Sequence, residues 1–107
     1  MSKQKNQKSK TPIGVGVETV VIQIGNSDDR LTQSEWAKFV NDMNHIVENH
    51  ADEIHFFGGS SNWENRQNAC WIFTSDVVPE LLQNIKPIRQ NYKWESVAVT
   101  RGCTQFA

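Results

Sequence analysis

The chain has 107 residues with a net charge of −1, a length that holds one domain around one core and excludes a second. No apolar run of roughly eighteen residues occurs, and no apolar segment backs the charges of MSKQKNQKSK, so neither a membrane span nor a secretory signal is expected. The expected location is the cytoplasm, where Cys70 and Cys103 read as reduced thiols. Neither cysteine has a Cys or His at zinc-ligand spacing, so no metal and no cofactor are expected.

The charge is unevenly spread. Lys3, Lys5, Lys8 and Lys10 sit among Ser, Gln and Asn with no acid beside them, the composition of a disordered basic arm over residues 1–12. The rest of the chain, 13–107, is read as the single domain and holds seven Lys and Arg against twelve acids. Its acidic balance argues against a phosphate-backbone binder.

Ile13, Val15 and Val17, then Val20, Ile22 and Ile24, alternate with other residues, a two-residue period that reads as a strand ending at Gly25-Asn26. Thr32 and Glu35 form a T-x-x-E capping box with Leu31 and Trp36 at staple positions, so a helix begins near Gln33. Trp36, Phe39, Val40, Met43, Ile46 and Val47 follow at steps of three and four, with Lys38, Asp42, His45 and Glu48 on the wet side. Short strands are expected over 54–58 and 68–74, joined by the Gly-, Ser- and Asn-rich GGSSNWENRQ. Ser75 or Asp76 opens a second helix carrying Val78, Leu81, Leu82, Ile85, Ile88 and Tyr92, which Pro87 should kink near Lys86. A last strand over 95–101 places Val97 and Val99 against Ser96, Ala98 and Thr100.

The order β-α-β-β-α-β is the split βαβ pattern of an α+β, ferredoxin-like fold: four antiparallel strands in the order 4-1-3-2, with both helices on one face. The other face is open. Period two leaves two assignments for the third strand, with either Ala69, Trp71 and Phe73 or Cys70, Ile72 and Thr74 pointing outward. In the first case Phe57, Trp71 and Phe73 form an aromatic interface, and apolar area of that size favours a covering partner.

Ile22-Gln23-Ile24-Gly25-Asn26 resembles the shorter motif of RNA-recognition domains, and Trp71 and Phe73 have the spacing of their stacking pair. Gln23 stands where an aromatic is expected and Asn68-Ala69 replaces the basic start of the longer motif, so stacking and cationic contact are both weakened. The blocks IGNSDDRLTQSEW, QNACW and RQNYKWESVAV resemble those of a family of small bacterial and phage proteins that carry variants of them in the same order. This resemblance spans nearly everything after the arm. It implies a self-contained module, phage or mobile-element encoded, and brings no activity and no site residues.

Catalysis finds little support. Asp28 and Asp29 precede a helix, where acids suit the dipole, and His45, His50 and His55 stand at no spacing that makes a nucleophile-and-base set. Cys70 lies inside a strand between Ala69 and Trp71, as a small buried hydrophobe does. Binding is the better reading: Trp63, Arg66, Trp94 and Arg101 pair aromatic faces with guanidinium groups, which suits a planar, anionic, nucleotide-like ligand. The expected function is therefore a non-catalytic homo-oligomeric module binding a partner protein or such a ligand, for example a phage counter-defence factor. The alternatives are a single-stranded RNA binder and a small cofactorless enzyme of the dimeric α+β barrel type.

Overall fold

The computed structural model describes residues 17–27, 30–59, 66–94 and 96–105, with Ser27 and Arg66 described in backbone only. The expected arm, the strand start at Ile13 and the residues Asp28, Asp29 and Trp63 lie outside the described residues.

Strand β1 (Glu18–Ser27) leads to helix α1 (Gln33–His50), then to β2 (Glu53–Gly58), β3 (Arg66–Ser75), helix α2 (Val78–Asn91) and β4 (Ala98–Gly102). The strands form one four-stranded sheet in the order β2-β3-β1-β4, every neighbouring pair antiparallel, which is the expected order read from the other edge. The ferredoxin-like arrangement is therefore present. β1 extends past its expected end: Gly25, Asn26 and Ser27 remain paired with Asn68, Gln67 and Arg66.

α1 starts at Gln33 because Thr32 and Glu35 cap it reciprocally. The Glu35 N–H donates to Thr32 Oγ1 at 3.1 Å, and the Thr32 N–H donates to Glu35 Oε1 at 2.9 Å. The approach to that cap is clamped from the sheet. Asn26, fully buried, accepts from the Leu31 N–H at 2.7 Å and donates to the Leu31 carbonyl and to Gln67 Oε1, both at 3.0 Å. Gln67 and Gln33 then exchange a pair of amide bonds, so this polar cluster is satisfied although it lies at the edge of the core.

α2 begins at Val78, later than Ser75 or Asp76, because the Ser75 hydroxyl serves the turn: it donates to the His50 carbonyl and accepts from the Val77 N–H. Pro79 occupies the first turn, where a missing donor costs nothing. The helix continues through Pro87 to Asn91. Pro87 and Gln83, whose carbonyl loses its partner, are both exposed, so water can supply the missing donor. The chain then reverses at Tyr92–Trp94 with Lys93 at φ 60, a left-handed conformation uncommon for a residue with a Cβ.

One core fills the space between sheet and helices. Val20, Ile22 and Ile24 of β1 and Ala69, Trp71 and Phe73 of β3 meet Phe39, Met43 and Val47 of α1 and Val78, Leu81 and Ile85 of α2. Trp71 and Phe73 thus turn toward the helices, and the outward set on β3 is Cys70, Ile72 and Thr74. Register decides this: Trp71 stands opposite Ile22 and Phe73 opposite Val20, both fully buried, and the Trp71 indole N–H finds Asn44 Oδ1 on α1 at 2.7 Å.

Candidate functional site

The open face of the sheet is ordered in rows by the ladder register. The central row runs Phe56, Ile72, Val21, Thr100; on one side lie Gly58, Cys70, Gln23 and Ala98, and on the other Glu53, Thr74, Thr19 and Gly102. Among the described side chains of these rows only Glu53, at the rim, carries a charge. The Phe56 ring lies over Gly58, where a Cβ would sit 2.8 Å from its Cζ. Phe56 remains 49% exposed.

β2 is an edge strand with a register shift between Ile54 and Phe56, so His55 sits at a bulge and the consecutive rings of Phe56 and Phe57 serve opposite faces. Phe57 stacks on Trp71 on the helix side, with centroids 5.3 Å apart and planes 23° from parallel. Of the expected aromatic interface, then, Trp71 and Phe73 are core residues and Phe57 borders the helix-covered side; none of them stands on the open face. Phe56 and Ile72 hold that place instead. The sequence contained the alternative assignment but no local signal to choose it.

Of the four expected ligand residues, Arg101 and Trp94 have described side chains, and each is already engaged within the fold. Arg101 projects inward from β4 and is held by the buried Glu18 carboxylate through two hydrogen bonds, which raise its pKa. Trp94 is 5% exposed, packed edge-on against Phe39 at 5.5 Å, so its ring is not available for stacking by a base. Arg66 opposes Ser27 at the far end of the β1–β3 ladder, and Trp63 lies outside the described residues.

What the fold assembles instead is a cleft where the start of α1 meets the end of α2. It encloses about 440 Å³ and is lined by Arg30, Leu31, Glu35, Lys38, Asn91, Tyr92 and Lys93. Arg30 donates from Nη2 to the Lys93 carbonyl, and its guanidinium carbon lies 5.3 Å from the centroid of the Trp94 ring. Glu35 is held below the ordinary carboxylate range, first by the Thr32 backbone N–H, then by the Thr32 hydroxyl, with smaller pulls from Lys38 and Lys93. Tyr92 donates to Asp42 Oδ2 at 2.7 Å, and its pKa is pushed up to about 12, chiefly by burial and next by that carboxylate. Among the described residues no group of three His, Cys, Asp or Glu is placed to hold a metal ion, and no helix is long and apolar enough to cross a membrane.

The chain matches no family model, and no curated protein matches it significantly in sequence. Its similarity to solved structures is one of shape. Rv0793 from Mycobacterium tuberculosis superposes with a TM-score of 0.51 at 13% identity, covering 86% of this chain and 98% of that one. A conserved protein from Methanosarcina mazei Go1 gives 0.47 at 13% identity, over 83% and 93% of the two chains. Fold and likeness together define a small α+β protein with four antiparallel strands and two helices.

Proposed function

We propose that the protein is a non-catalytic homo-oligomeric binding module in which two copies pair through their open sheet faces. The observation that carries this reading is the near-absence of charge among the described side chains of that face. Charged residues make up 21% of the chain, yet the outward rows hold an apolar centre of Phe56, Ile72 and Val21 framed by threonines, Gln23 and Ala98. Two copies of an acidic body meet little charge repulsion across such a surface.

The size is adequate. Ten-residue central strands at ~3.4 Å per residue and four strands at ~4.8 Å spacing give a footprint of about 500 Å² per copy, so the pair buries roughly 1,000 Å², the lower bound of a specific interface. Single-stranded RNA fits the face less well, since Phe56 is its one described ring and no described cation stands in its rows. A module of this kind acts by occlusion or sequestration, which agrees with the accessory role implied by the resemblance to phage proteins.

Native mass spectrometry and sedimentation at micromolar concentration test the pairing. The unmodified chain runs as a dimer, and Ile72→Lys, which places an ammonium in the central row, runs as a folded monomer. A wild-type chain that is monomeric throughout removes the proposal.

A further inference from the structure

The cleft between the start of α1 and the end of α2 gathers three of the seven Lys and Arg residues that follow the basic arm. Two come from before and within the first turns of α1 and the third from the turn after α2. Arg30 and Lys93 stand 63 positions apart, and the Arg30 to Lys93 carbonyl bond ties them. Trp94 lies under the Arg30 guanidinium, while the other donors of that fork meet no acceptor among the described residues. A guanidinium held in this way needs little further ordering to meet an oxyanion.

The carboxylates nearby are already committed. Glu35 accepts from the Thr32 N–H, and Asp42 accepts from the Tyr92 hydroxyl. With Glu35 counted against Arg30, Lys38 and Lys93, the described lining carries a net charge of +2. That value balances a phosphomonoester, which carries about −1.5 to −2 at neutral pH. Leu31 and the Tyr92 ring add apolar wall, and the 440 Å³ volume falls within the usual range for a small-molecule pocket.

We propose that this cleft binds a small phosphorylated ligand of nucleoside-monophosphate size, with its phosphate held by Arg30, Lys38 and Lys93. The proposal deepens the reading of the chain as a binding module by giving that module a ligand class and a place. The place is on the helix-covered side, away from the surface offered for pairing.

The test titrates isotope-labelled protein with adenosine monophosphate and, separately, with inorganic phosphate, following amide resonances. Both ligands shift Arg30, Leu31, Lys38 and Lys93, the nucleotide more tightly if the apolar wall contributes. The double variant Lys38→Gln, Lys93→Gly binds at least tenfold more weakly, as expected when two charged hydrogen-bond donors to the phosphate are lost. Its fold is preserved, because glycine adopts the φ of 60 at position 93 without strain and Lys38 is exposed. Absence of shifts at millimolar ligand, shifts confined to other residues, or an undiminished affinity in the double variant would each overturn the assignment. The oligomeric state of the unmodified chain separates the two proposals. A monomer that binds phosphate at these residues leaves the cleft standing without the pairing, and a dimer that binds neither ligand removes the cleft alone.

Discussion

Arg101 on β4 grips Glu18 on β1 through two parallel hydrogen bonds, Nε to Oε1 at 2.9 Å and Nη2 to Oε2 at 2.7 Å. The carboxylate is 4% exposed, whereas the arginine side chain keeps 36% of its surface in water. The pair pins the short β4 edge to a central strand, and it puts the cost of rupture on the buried acid.

Arg101→Met should therefore destabilise the fold by about 2 to 3 kcal/mol, below the 3 to 5 of a fully buried pair because Arg101 is partly solvated. Removing both partners together, with Glu18→Met added, should cost less than Arg101→Met alone, since no buried charge is then left unpaired. Urea unfolding of the two variants gives both values. A double variant weaker than the single one would show that the pair itself, and not the orphaned carboxylate, dominates.

Phe39 is the hub of the helix–helix contact, with no exposed surface and with the rings of Trp36, Tyr92 and Trp94 at 5.6, 5.4 and 5.5 Å. Phe39→Ala is expected to cost about 3 to 5 kcal/mol through the cavity it leaves. Trp36→Ala should cost less, because Trp36 is only half-buried, and His45→Ala on the wet face should stay within about 0.5 kcal/mol. Thermal unfolding that ranks Trp36 above Phe39 would mean that the staple, not the ring cluster, holds α1.

Tyr92 is the only tyrosine, so phenolate absorbance reports on it alone. Its pKa in the folded protein is about 12 against an ordinary 10, because burial and Asp42 both disfavour the phenolate. The sign follows: below pH 10 the hydroxyl is protonated in both states and its contribution to stability is complete, and between 10 and 12 only the unfolded chain ionises, so stability falls as pH rises. Asp42→Asn should lower the midpoint while leaving it above 10, since burial remains. A wild-type midpoint near 10 would contradict the contact.

Cys70 points outward from β3 beside Gln23 in the rows offered for pairing, whereas Cys103 follows β4 and is exposed. If two copies pair, a thiol reagent should label Cys103 quickly and Cys70 slowly, and dilution or Ile72→Lys should speed only Cys70. Equal, concentration-independent rates would place Cys70 in open solvent.

Much of the fold was legible because its signals are local. The capping box of Thr32 and Glu35 sets where α1 starts, and alternation along β1 and three- and four-residue steps along both helices set element type, each within a few residues of chain. The sites were not legible in the same way. Arg101 had the chemistry of a ligand residue until its partner 83 positions away claimed it, and Trp94 until Phe39 covered it.

Alternation divides a strand into two sets of side chains but is silent on which set meets the helices. For β3 that choice rests on register: Trp71 opposite Ile22, with its indole N–H on Asn44, sends the large rings inward and leaves Cys70, Ile72 and Thr74 outside. The sequence by itself determined the elements, their order and the presence of an uncovered sheet face. Only the tertiary structure decided what that face displays and that Arg30, Lys38 and Lys93 share a cleft, because both depend on contacts between residues far apart in the chain.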